Sequence, residues 1–180
     1  MVHFDSTNVV HFESTGDSLL SSLAYRPELL VLDEPFSGLD PLVREELTDG
    51  ILAASAQEGG TVLVSSHDIE DIERLAEHVS MIDGGRLMLS ESTDSLLGRF
   101  REVEIIGGAE RAGPPPGASG WESSGGRSRF VAPDFSGAAS EEVWRARYPG
   151  ATFRIEPMTL RGIFVVLART WRGKQEGADA

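Results

Sequence analysis

The sequence predicts an α/β protein: a mainly parallel sheet flanked by helices, followed by a smaller α+β region. Two observations predict the class. Short apolar runs at Leu29–Leu32, Thr61–Ser65 and Val79–Ile82 alternate with segments of helical spacing, which is the strand–helix–strand pattern of parallel sheets. The charge then changes character near Gly98. Residues 1–98 hold 19 acids and 4 bases, and residues 99–180 hold 10 acids and 12 bases, so the chain divides into two modules with different surfaces.

Each element has a local cause. Residues 1–18 form an atypical leader in which VHFDST at Val2–Thr7 returns as VHFEST at Val10–Thr15. Two copies are too few for a repeat fold. His3 and His11 with Asp5 and Glu13 carry metal-ligating chemistry, but a short duplicated leader is the simpler reading. Residues 18–25 read as the end of a helix stopped at Arg26-Pro27, because the residue before proline is pushed out of the helical region. Leu29–Leu32 has the look of a strand buried on both faces. Leu42, Val43, Leu47, Ile51 and Leu52 mark a helix over Pro41–Gln57. Asp40 is its cap, Pro41 suits the first helical position, and Gly59-Gly60 ends it. Thr61–Ser65 predicts a second buried strand, Ile69–His78 a second helix and Val79–Ile82 a third strand. Asp83-Gly84-Gly85 predicts a hairpin turn into Arg86–Leu89.

Residues 99–172 form the predicted accessory module. Val103–Ile106, Phe130-Val131 and Thr152–Ile155 are strand candidates, and Glu142–Arg147 and Leu160–Ala168 helix candidates. Gly107–Gly126 is rich in Gly, Pro and Ser and reads as a loop or linker. Met158, Leu160, Ile163, Phe164 and Leu167 predict one buried face on the last helix. Residues 173–180 read as a disordered tail.

Composition excludes several functions. At 40% hydrophobic and 25% charged residues, the chain is globular rather than disordered. It has no cysteine, hence no disulfide, thiolate chemistry or Cys-based zinc site. No apolar run reaches the length of a membrane span, and no signal peptide is evident. A net charge of −13 argues against nucleic-acid binding, which needs a basic footprint.

The chemistry centres on LLVLDE at Leu29–Glu34, where two carboxylates directly follow a buried strand. Ligands of open α/β sheets sit beyond the C-terminal strand ends. Adjacent residues of an extended chain point to opposite sides, so Asp33 and Glu34 have separate tasks, one facing a metal and the other a water. Pro35 is expected to keep Glu34 extended.

At this point the sequence resembles the ATP-binding-cassette (ABC) family of transporter ATPase subunits. LLVLDEP is similar to its Walker B motif with the catalytic glutamate, SGLD at Ser37–Asp40 to its D-loop, and His67 in VLVSSHD to its switch histidine. The resemblance spans roughly Leu19 to Gly98. It implies a P-loop NTPase-type sheet, present here as the C-terminal half of a nucleotide-binding domain over residues 19–98. It also implies roles. Asp33 would hold Mg²⁺ through water. Glu34 would act as general base on the attacking water. His67 would contact the γ-phosphate of ATP. Ser37 and Asp40 would reach across a dimer interface to a second nucleotide-binding subunit. Membrane-spanning transporter subunits would be the other partners, placing the chain on the cytoplasmic face of the plasma membrane. EPMTLRGIFVVLAR at Glu156–Arg169 resembles the closing helix of bacterial transporter subunits.

The departures carry equal weight. No segment fits G-x-x-x-x-G-K-[ST], the loop whose amides and lysine cradle phosphates. The glutamine loop is missing as well. The signature sequence is expected near Val9–Glu13, where VVHFE stands instead. A chain with this motif set is expected to be truncated and inactive alone. The alternative is a non-enzymatic remnant serving as structural or regulatory partner of an intact ATPase. In the family, the phosphate-loop strand lies between the strand before His67 and Val79–Ile82. Its absence is expected to leave two unpaired strand edges or to force their direct pairing.

Overall fold

A computed structural model describes residues 3–4, 9–13, 28–56, 61–107 and 112–176, and divides the chain into two units, Met1–Ala76 and Glu77–Ala180. The first unit runs β1 (His3–Phe4), β2 (Val9–Glu13), β3 (Leu29–Asp33), α1 (Pro41–Ser55), β4 (Thr61–Ser65) and α2 (Ile69–Leu75). Its four described strands lie in the order β1-β2-β3-β4. β2, β3 and β4 are parallel, and β1 folds back antiparallel with His3 opposite His11. The duplicated leader therefore supplies two strands. The side chains of the suggested metal set, and the helix expected over residues 18–25, lie outside the described residues.

Alternation along β3 and β4 gives the sheet one packed face. Leu30, Leu32, Phe36 and Ile51 are buried together, with Leu47, Val62, Val64 and Leu75 packed against them. The expectation of strands buried on both faces is corrected: Leu29 and Val31 are only half-buried, and Leu63 is 59% exposed. Among the described residues, β4 is the outermost strand of its sheet, and the core lies on one side of it. α1 starts at Pro41 as expected, with Asp40 Oδ1 accepting from the amides of Leu42 (3.0 Å) and Val43 (3.1 Å). α2 is shorter than expected. Ala76 has extended backbone and ends the helix, which leaves His78 in the next strand.

The second unit runs β5 (His78–Asp83), β6 (Arg86–Ser92), α3 (Thr93–Arg99), β7 (Arg101–Ile106), β8 (Ser119–Ser124), β9 (Arg127–Ala132), α4 (Ala138–Arg147), β10 (Thr152–Pro157) and α5 (Leu160–Glu176). β5 and β6 form a two-stranded antiparallel sheet. The turn between them has positive φ at both Gly84 (55°) and Gly85 (74°), which only glycine adopts without strain. Among the described residues, β4 and β5 are strands of different sheets.

The remaining strands form an antiparallel sheet ordered β10-β7-β9-β8. Val103, Ile105, Phe130, Ala132, Trp144 and Tyr148 make its core, with Trp144 edge-on to Phe130 at 5.3 Å between ring centres. The expected linker at 107–126 is corrected, because it contains β8. That strand is mostly exposed, so its small polar residues give no apolar alternation, and only Trp121 hints at it. The loop before β8 is held in place: Tyr148 donates to the Gly113 carbonyl (2.6 Å), and Arg147 to those of Ala112 (2.6 Å) and Pro114 (3.0 Å). Of the tail expected to be disordered at 173–180, residues 173–176 belong to α5, which continues through Glu176, and residues 177–180 lie outside the described residues. Leu160 and Ile163 are buried on that helix, whereas Phe164, assigned to the same face, is exposed. No helix among the described residues is long and apolar enough to cross a membrane.

Candidate functional site

The site is built where β3 and β4 end together. Their parallel register sets Asp33 beside Ser65, so the two chains leave the sheet side by side. The Ser65 hydroxyl donates to Asp33 Oδ1. The Glu34 amide in turn donates to the Ser65 carbonyl (3.0 Å) and reaches its Oγ (3.1 Å). One serine thus ties down the side chain of the first carboxylate and the backbone of the second.

Glu34 departs from expectation. Its φ is +48°, in the left-handed region rather than the extended conformation predicted from Pro35. A side chain there costs on the order of 1–2 kcal/mol. The hydrogen bonds to Ser65 hold it, as does the tight turn that follows, in which the Ser37 amide donates to the Glu34 carbonyl (3.1 Å). Phe36, buried at 1% exposure, anchors this turn in the core. Strained backbone held by its surroundings is characteristic of functional sites.

The turn aims Glu34 at His67, whose Nδ1 lies 2.7 Å from Glu34 Oε2. An ionised carboxylate only accepts hydrogen bonds, so Nδ1 carries the proton. The His67 pKa is raised, first by that hydrogen bond and then by the Glu34 charge. The histidine side chain is 78% exposed and that of Glu34 39%, so the pair opens to solvent. Of the five residues expected in the site, the structure brings Asp33, Glu34 and His67 together. Ser37 is an exposed residue of the turn after Glu34, and Asp40 is engaged as the cap of α1. The motifs did not single out Ser65 or Arg44. Arg44 donates through Nη1 to Asp68 (3.1 Å) and Asp71 (3.2 Å), just beyond His67.

Asp33 is exposed at the strand end. Among the described residues, no three His, Asp or Glu side chains gather as a metal cage. Mg²⁺ keeps several waters and takes few protein ligands, so its chemistry does not require such a cage.

A family model described as "AAA domain, putative AbiEii toxin, Type IV TA system" matches residues 18–70, the stretch that holds Asp33, Glu34, Ser37, Asp40, Ser65 and His67. An uncharacterized ABC transporter ATP-binding protein of Alkalihalophilus pseudofirmus is 30% identical over 81% of this chain and 56% of its own length. The energy-coupling factor transporter ATP-binding protein EcfA of Methanothermobacter thermautotrophicus is 46% identical over 47% of this chain and 26% of its own. The trimethylamine N-oxide transport system ATP-binding protein TmoW of Ruegeria pomeroyi is 37% identical over 42% and 22% respectively. The chain is a relative of ABC transporter ATP-binding proteins. It spans between about a quarter and just over half the length of these ABC relatives. The Alkalihalophilus match covers too much of the chain to be confined to residues 1–98. The ABC likeness therefore extends into the β7–α5 region, where the motifs gave no guidance beyond the last helix.

Proposed function

We propose that this chain supplies the water-activating and magnesium-facing part of the ATP-hydrolysing subunit of an ABC transporter. The contact between Glu34 and His67, beside Asp33 at the ends of two parallel strands, carries the reading. Bound Mg²⁺ would neutralise phosphate charge during transfer. Asp33 would orient a water of that ion. Glu34 would take the proton of the attacking water on its remaining oxygen, Oε1. His67 would hold Glu34 Oε2 through Nδ1–H and leave Nε2 for the γ-phosphate. Ser37 and Asp40 would face a second nucleotide-binding subunit. The partners would be membrane-spanning transporter subunits, with the chain peripheral on their cytoplasmic side.

The residues present do not make a phosphate cradle. The sequence contains no G-x-x-x-x-G-K-[ST], and its single lysine, Lys174, stands outside any such motif. ATP titrated calorimetrically into the 180-residue protein, with and without Mg²⁺, is expected to show no tight binding. Tight, Mg²⁺-dependent binding would overturn the division of the site.

The lack of a cradle also favours a second reading, a non-enzymatic partner of an intact ATPase. ATPase assays on an assembly purified through this chain separate the two. Glu34→Gln is expected to slow hydrolysis about 10²–10⁴-fold if the chain contributes the base. Unchanged hydrolysis supports the regulatory partner.

A further inference from the structure

One well-connected polar side chain near the site, Arg44, is not one of the motif residues. Arg44 lies one turn into α1, where its amide donates to the Asp40 carbonyl (3.0 Å) and its carbonyl accepts from Thr48 Oγ1 (2.8 Å). Thr48 is itself buried, so the backbone from which Arg44 projects is well fixed. Its guanidinium spans two loops. Nε donates to the Leu39 carbonyl (3.3 Å) at the end of the turn that begins with Glu34. Nη1 is shared between Asp68 Oδ2 (3.1 Å) and Asp71 Oδ2 (3.2 Å) at the start of α2.

His67 sits between two residues that close on each other. The Ser66 hydroxyl accepts from the Asp68 amide (3.0 Å) and lies 3.4 Å from the Asp68 carbonyl. Whatever holds Asp68 therefore holds the backbone on both sides of His67. The histidine ring, largely in solvent, has the 2.7 Å contact with Glu34 but little packing to fix it. Lone exposed ion pairs contribute little. This one differs, because one rigid planar fork meets three acceptors, and all three charged side chains are partly shielded.

We propose that Arg44 is a positioning residue for His67: by clamping Leu39, Asp68 and Asp71 with one guanidinium, it sets the loop that presents the imidazole to Glu34. This rests on the reading of Glu34 and His67 as the water-activating pair, but it can be tested without nucleotide.

The test is imidazole ¹⁵N NMR on the full 180-residue protein at fixed pH, with His67→Gln identifying the His67 signals. In the parent protein, His67 Nδ1 should show the shift of a nitrogen donating to a carboxylate. In Arg44→Gln it should move to the position of a solvent-exposed imidazole, and exchange of the Asp68 amide should quicken about tenfold or more. Arg44→Lys keeps the charge but loses the fork. It should recover thermal stability more fully than the His67 signal, a split that a purely structural role would not produce. A folded Arg44→Gln protein with an unchanged His67 spectrum overturns the proposal. Should that variant fail to fold, Asp71→Ala removes one acceptor, and the same criterion applies: a shifted His67 signal supports the clamp, and an unmoved one sinks it. ATP titrations that contradict the functional reading would leave this result standing.

Discussion

At the scale of single residues, the site depends on how two neighbouring carboxylates are separated. Asp33 ends β3 and is tied by Ser65, whereas Glu34 turns into the left-handed region and meets His67. The raised His67 pKa has a definite consequence. Its protonated form is favoured in the folded protein by the Glu34 hydrogen bond and charge. The stabilisation linked to it is therefore fully present below the unfolded-state pKa, and is lost as pH rises through the higher folded value. NMR titration of His67 should give a midpoint above that of an unperturbed histidine, and Glu34→Gln should lower it. A midpoint that stays put in that variant would mean that Glu34 does not hold the imidazole in solution. Asp40 illustrates two roles at one residue. Its carboxylate caps α1, and that use is compatible with the interface role the D-loop resemblance implies.

At the scale of elements, β4 has the most to explain. It continues the parallel sheet and brings Ser65 and His67 to the site, yet it is the outermost described strand and exposes Leu63. An apolar strand edge invites pairing with other chains. Leu63→Lys should reduce concentration-dependent association, measured by light scattering. It should change stability by no more than about 0.5 kcal/mol, as expected of an exposed position. Equal scattering from parent and variant would show that this edge does not drive association. The β5–β6 hairpin shows the opposite case, an element whose turn is dictated by two adjacent glycines. The β8–β9 hairpin uses the same device, with φ of 59° at Gly125 and 78° at Gly126.

At the scale of the whole molecule, each unit has its own apolar cluster among the described residues. Phe36 is fully buried among Leu30, Leu32 and Ile51, and Trp144 lies in the sheet-and-helix core of the second unit. Truncating a buried aromatic costs about 3–5 kcal/mol. Calorimetry should resolve two unfolding transitions, with Phe36→Ala lowering one and Trp144→Ala the other. If either variant shifted both transitions equally, the units would unfold as one.

The sequence by itself determined the ABC kinship, the strand ending in two carboxylates, the cap and start of α1, and the glycine turn after β5. All of these are local: a few adjacent residues contain the cause. The tertiary structure alone decided that Ser65 joins Asp33, that Glu34 leaves the extended conformation to meet His67, and that Arg44 reaches Asp68 and Asp71. These contacts cross 24 to 33 residues of chain. They depend on the parallel register of β3 and β4 and on where α1 and α2 pack. Periodicity does not encode such placement, because it reports which face of an element is apolar and not which residue of a distant element will stand opposite.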